Sequence, residues 1–192
     1  MVFSHALKTP LPLCGALCLA LGLAGAPALG ATGQQSVSRP ASPALDSAAL
    51  AVRAELNAVG AARFTAQDYK PGMVRHMVMF AFRPGTTAAQ RAEVTRRFVA
   101  LTTLSRRPDG KAVVASLETG AQSSGENAGL GLEQGYLVTF ASEGDRNFYV
   151  GRPVVTEAGC FDPAHDAFKT FAGPYLARVV VFDFIPAGPV AP

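Results

Sequence analysis

The chain has 192 residues, enough for one domain of ordinary size with flanking segments. Apolar residues make up 49% and charged residues 16%, and the formal net charge is only +3, with basic residues scattered rather than interleaved with aromatics, which argues against a nucleic-acid-binding surface. Beyond the first thirty residues only His76, His165 and Cys160 remain of their types; this excludes an internal disulfide, offers no metal-ligand set and, with no Gly-rich phosphate loop in view, gives no reason to expect a cofactor.

Residues 1–30 read as a secretory signal peptide. Lys8 gives a weakly positive start, an apolar run follows from Leu11 to Leu29, and Ala26-Pro27-Ala28 and Ala28-Leu29-Gly30 both fit a small-residue cleavage signal. The run approaches the roughly 20 residues that cross a bilayer, so an uncleaved anchor is the alternative. With cleavage, the expectation is an exported chain, periplasmic or secreted, without stable membrane association. Residues 31–72 are predicted to be a linker with one amphipathic helix over about 46–62, capped by Asp46 or Ser47. Its apolar stripe is Leu45, Ala49, Val52, Leu56 and Val59. That stripe is expected to lie on its own domain or on a partner chain.

The domain proper is predicted over 73–186. A first strand spans 73–82, with Val74, His76, Val78, Phe80 and Phe82 on one face and Met73, Met77, Met79 and Ala81 on the other. A half-buried strand alternates apolar with polar, so a strand apolar on both faces should be covered on both. Thr87 and Gln90 form a capping-box signature for a helix with Val94, Phe98 and Leu101 on one side. The adjacent pairs Arg96-Arg97 and Arg106-Arg107 are read as a solvated helix face and helix end. A second strand, apolar on both faces, is placed at about Ala112–Thr119, and a third at about Gly135–Ala141. Ser142 and Asp145 open a short helix through Val150; Asp162-Pro163 opens another carrying His165, Phe168 and Phe171. A last strand covers Ala177–Ile185, and residues 187–192 form a disordered tail.

This order, βαββαβ, is the ferredoxin-like plan: an α+β fold with a four-stranded antiparallel sheet and helices on one face. Two helices cover only one face, yet the strands offer apolar side chains to both. An uncovered apolar face is an association site, so a homodimer with sheets packed face to face is expected. The alternative is that the 46–62 helix folds back over it.

Four segments carry a family resemblance. Arg75-His76-Met77-Val78-Met79-Phe80-Ala81-Phe82, Gly135-Tyr136-Leu137-Val138-Thr139-Phe140, Asp162-Pro163-Ala164-His165-Asp166-Ala167-Phe168 and Val179-Val180-Val181-Phe182-Asp183-Phe184 resemble, in order, the motifs of the stress-responsive alpha/beta barrel (Dabb) domain. The resemblance implies a dimeric ferredoxin-like α/β barrel. One plant member, olivetolic acid cyclase, closes a linear polyketide with a histidine and a tyrosine in a cavity between sheet and helices. His165 occupies the position of that histidine, Tyr149 best matches the tyrosine, and His76 matches a cavity-lining histidine. The chain departs from the pattern at Asp162 and Gln134, where family histidines are replaced, and at Val154–Phe161, which reads as an insertion containing Cys160.

The candidate catalytic residues are therefore His165, Tyr149 and His76, and the candidate ligand-binding residues Phe80, Phe82, Gln134 and Phe168. His165 in the first turn of a helix should be held neutral by the helix dipole, which suits a general base. Asp183 interrupts an apolar strand and needs a partner if buried; Arg75 and Arg178 are the candidates, with exposure at the strand end as the alternative. Cys160 would be nucleophilic only with an adjacent base, and His165 is the nearest in sequence. Two functions compete: an exported module binding a small apolar or aromatic ligand without catalysis, favoured by the two lost histidines, and an acid–base enzyme of the polyketide-cyclase kind. A third is a cofactor-free oxygenase; the absence of tryptophan and the poor ligand set weigh against haem chemistry.

Overall fold

A computed structural model describes residues 44–188. The expected leader, residues 31–43 of the linker and residues 189–192 of the tail lie outside the described residues. Among the described residues, no helix is long and apolar enough to cross a membrane.

The elements are α1 (Ser47–Val59), the single turn α2 (Ala61–Phe64), β1 (Pro71–Phe82), α3 (Ala88–Leu104), β2 (Ser116–Ala121), β3 (Gln134–Ser142), α4 (Glu143–Val150), α5 (Pro163–Ala172), a 3-10 turn (Gly173–Tyr175) and β4 (Leu176–Phe184). The strands form one antiparallel sheet in the order β2-β3-β1-β4. This is the ferredoxin-like arrangement, α+β, with α4 added between β3 and α5. Local chemistry sets the helix starts. Thr87 and Gln90 exchange side-chain and backbone bonds at α3 (Gln90 N to Thr87 Oγ1 3.2 Å, Thr87 N to Gln90 Oε1 2.8 Å). Asp46, Ser142 and Asp162 accept backbone N–H groups at the starts of α1, α4 and α5.

β1 lies between β3 and β4 and organises the core. Its Val74, His76, Val78, Phe80 and Phe82 turn towards the helices and are buried. Tyr136, Val138 and Phe140 of β3 join them, and α3 contributes Val94, Phe98 and Leu101. The Phe98 ring is the centre: it stacks on Tyr136 at 4.0 Å and meets Phe168 of α5 edge-on at 5.1 Å. On the opposite face Met77 and Met79 are half-buried and Phe182 is 61% exposed, so an apolar surface remains open there.

Two expectations change. The second strand begins at Ser116, not Ala112. Val113 and Val114 are buried in the irregular segment before it, so their apolar run marks a plug into the core rather than a two-sided strand. β2 is a sheet edge and mostly exposed. Arg107 is not solvated: its Nε and Nη2 reach Asp145 Oδ1 at 2.9 and 2.6 Å and its Nη1 reaches the Thr65 carbonyl at 2.9 Å. A buried charge persists only when so compensated. Of the readings left open for α1, packing on its own domain is the one observed, and the alternative of folding over the open sheet face is not. Val52 and Leu56 of α1 pack with Phe64, Tyr69, Val154, Val155 and Cys160 in a second, smaller cluster on the chain's own domain.

Phe98→Ala should remove the central ring of the core and cost about 3–5 kcal/mol. Chemical denaturation checks this against Leu104→Ala on the same helix, which is 60% exposed and should change stability by less than about 0.5 kcal/mol.

Candidate functional site

The antiparallel register sets Asp183 of β4 directly opposite His76 of β1, with Val181 opposite Val78 and Val179 opposite Phe80. All six therefore share the helix-facing side of the sheet. The helices do not reach over the β4 edge, where Val179 and Val181 stay about half exposed. The result is a cavity of about 460 Å³ between sheet and α5, open along β4. Phe80, Phe98 and Phe168 form much of its apolar wall. His76, His165, Asp183, Arg152, Lys169 and Arg178 supply its ionisable groups.

His76 is buried, and its Nδ1 lies 2.6 Å from Asp183 Oδ1. An ionised carboxylate only accepts, so Nδ1 donates and Nε2 is the remaining nitrogen for a ligand. Asp183 Oδ2 accepts from Arg146 Nη1 of α4, also at 2.6 Å. Burial alone would raise the Asp183 carboxyl; the hydrogen bond and charge of His76, together with Arg146, outweigh it and hold the group below its ordinary value. The sequence suggested Arg75 or Arg178 as partner. Instead Arg75 donates to Thr139 Oγ1 and Arg178 to the Leu130 carbonyl. Arg146, on an element remote in sequence, was not legible as the partner.

His165 sits in the first turn of α5, and its Nδ1 donates to the Tyr149 carbonyl at 2.6 Å. Its pKa is pushed down to about 3, chiefly by burial, with the nearby Lys169 ammonium adding to the effect. Tyr149 stands behind the cavity wall and does not line it. Its ring stacks on His165 with centroids 3.9 Å apart and meets His76 edge-on at 5.9 Å. Its hydroxyl is buried with no hydrogen-bond partner among the described residues, and burial holds it protonated. Tyr149 therefore separates the two imidazoles and fixes one of them through its carbonyl.

The remaining candidates divide. Phe80 and Phe168 line the cavity; Phe82 is buried beside it, edge-on to Phe80 under the Arg91 guanidinium. Gln134 lies elsewhere, its amide donating to Thr119 Oγ1 at 2.8 Å. Cys160 packs in the second cluster and does not line the cavity. The stretch 154–161 leaves the two histidines close, because the Asp162 N–H donates to the Phe148 carbonyl at 2.9 Å and restarts the chain where α4 ends. Val155 anchors the excursion in the second cluster. Lys169 and Arg152 at the cavity were not singled out from sequence; a helical i, i+4 count from His165 reaches Lys169 and offered the one signal. Among the described residues, no group of three His, Cys, Asp or Glu side chains converges as a metal site would require.

The family profile of the stress responsive A/B barrel domain matches residues 74–186. Among curated proteins, no sequence matches significantly. Among solved structures, a protein of Arabidopsis thaliana is 22% identical, with 62% of this chain and 99% of that one covered and a TM-score of 0.50. The hydroxynitrile lyase of Passiflora edulis is 18% identical, covering 63% and 99%, with a TM-score of 0.49. A Bacteroides fragilis protein described as dimeric, ferredoxin-like and of unknown function is 20% identical, covering 61% and 99%, with a TM-score of 0.42.

The buried His165 makes stability depend on pH with a definite sign. Its folded pKa of about 3 lies below the ordinary histidine value of 6.5, so between these values the unfolded chain binds the extra proton. Stability should fall as pH drops from about 6.5 towards 3. Urea denaturation at stepped pH should show this decline, and His165→Asn should flatten it through the upper part of the window, before the carboxylates titrate.

Proposed function

The chain belongs to the stress responsive A/B barrel domain family, and on that premise we propose that it is an exported homodimer binding a small apolar or aromatic ligand in the cavity between sheet and α5. One observation carries the reading: two imidazoles line a single, largely apolar cavity, each with Nδ1 tied to a protein acceptor. The ligand's apolar body lies against Phe80, Phe98 and Phe168, and its polar group, a hydroxyl or carbonyl, meets the histidines. Sites of this kind bury most of a ligand in apolar contacts and orient it with few polar ones.

A second reading, acid–base catalysis, is favoured by the His76–Asp183–Arg146 array. His76 accepts a proton at Nε2, and the Asp183 carboxylate stabilises the imidazolium that results. His165, held neutral, accepts a hydrogen bond and orients the ligand. Tyr149 is a spacer in this scheme, not a proton donor. The chemistry suited to the array is proton abstraction next to a carbonyl or from a phenol, as in cyclisation or cofactor-free oxygenation.

Acetophenone and phenol serve as probes. Ligand-observed NMR should show saturation transfer to both, lost in Val181→Asp, which puts a charge on the cavity wall. In deuterated buffer the methyl protons of acetophenone should exchange faster with the parent protein than with His76→Asn. Binding without accelerated exchange sinks the acid–base reading; no binding of either probe sinks both.

The homodimer is supported by the open sheet face, where Met77, Met79, Val180, Phe182 and Phe184 form an apolar surface with no cover among the described residues. Export is supported by the leader composition of residues 1–30. Native mass spectrometry of protein recovered from the exported fraction tests both. It should give twice the mass of a chain lacking the leader; a single-chain mass contradicts the dimer, and an intact leader contradicts cleavage.

A further inference from the structure

Residues 44–70 precede the stretch that matches the family, yet they are joined to the histidine site through α4. The backbone carbonyls of Lys70 and Tyr69 accept from Glu143 N and Gly144 N at 3.1 and 3.0 Å, closing the start of α4. The approach is so close that a Cβ on Gly144 would lie 1.7 Å from the Ala66 carbonyl oxygen. One turn into the helix, Asn147 Nδ2 donates to the Phe64 carbonyl at 2.8 Å, and the same amide's Oδ1 accepts from Arg146 Nε at 2.8 Å. Arg146 then reaches Asp183, and Asp183 reaches His76. A chain of charges runs alongside: Glu55 of α1 pairs with Lys70, Lys70 lies 3.7 Å from Glu143, and Glu143 lies 3.7 Å from Arg146.

We propose that residues 44–70 are a positioning element of the histidine site, which hold Arg146 through Asn147 and Glu143 and thereby fix Asp183 and His76. Asn147 and Glu55 are positioning residues, since neither touches the cavity. The same helix carries the Tyr149 carbonyl that orients His165, so an arm docked on α4 bears on both imidazoles. The consequence for chemistry rests on His76 being the cavity's proton carrier; the orientation itself does not.

The charged and titratable groups facing His76 are Asp183 on β4, Arg146 and Tyr149 on α4 and His165 on α5, while β3 presents Phe140. Arg146 is the cation among them, and it opposes the imidazolium. If Arg146 drifts from Asp183, the carboxylate acts on His76 undiminished and the proton affinity of the ring rises.

The test is ring NMR titration of His76 in the full chain without ligand. Gly144→Ala forces the arm from α4, and the proton affinity of His76 should rise about threefold or more, with the fold retained by circular dichroism. Gly120→Ala, whose added methyl meets nothing within 4 Å, should leave it at the parent value. A folded Gly144→Ala protein with the parent titration overturns the proposal. If Gly144→Ala does not fold, the charge-matched pair Glu55→Gln and Asp68→Asn decides. Both remove one negative charge from the arm, but Asp68 pairs with Arg63 and lies off the path to Arg146. A shift in Glu55→Gln alone supports the positioning role, and equal or absent shifts overturn it. Because no ligand is present, failure here leaves the cavity's proposed ligand binding standing, whereas loss of probe binding with an intact arm effect would remove that reading alone.

Discussion

A histidine inside an apolar wall must find a partner for its ring N–H, and the rest of the site depends on how His76 finds one. The cost of leaving a buried donor unpaired is about 1–3 kcal/mol. Here the answer is a carboxylate one strand away, fixed opposite His76 by the sheet register. A buried carboxylate carries its own desolvation cost, which a hydrogen-bonded cation offsets. Arg146 fills that requirement and ties α4 to the sheet. The need to satisfy one imidazole thus recruits β4 and then α4.

α4 is short, but contacts that hold both histidines of the cavity pass through it. Its start receives carbonyls from the N-terminal arm, its middle holds Arg146 and Asn147, and its end presents the Tyr149 carbonyl to His165. The stretch between Gly151 and Asp162 makes its own excursion, anchored by Val155, and returns to the Phe148 carbonyl. An excursion whose two ends stay close is tolerated, and this one adds to the second cluster without separating the histidines.

The two apolar faces of β1 play different parts. One builds the core and, where the helices stop short of β4, the cavity. The other is left to solvent within a single chain, with Phe182 and the methionines on view. A sheet with helices on one side has no internal means of covering its second face, and α1, which had the right amphipathic character to do so, packs through Val52 and Leu56 at the second cluster.

The sequence by itself determined the local features. The alternation in 73–82, the capping box at Thr87, the caps at Ser142 and Asp162 and the order of elements could all be read, because each depends on neighbours a few residues apart. The family was legible for the same reason, from four short motifs in order. His76, His165, Phe80 and Phe168 could be named as residues of a common cavity, the histidines because the family resemblance implies that cavity and the strand face turns His76 towards the helices. What only the tertiary structure decided are the pairings across the chain: Asp183 with a histidine 107 residues away, Arg146 behind it, and Arg107 turned inward to Asp145. Val113 and Val114 misled as a strand because an apolar run records burial without recording the conformation that achieves it. Tyr149 offers its carbonyl and its ring face while its hydroxyl is buried without a partner, outside the cavity lining, because the ring packs against His76 and His165 across the chain and no local pattern encodes that packing.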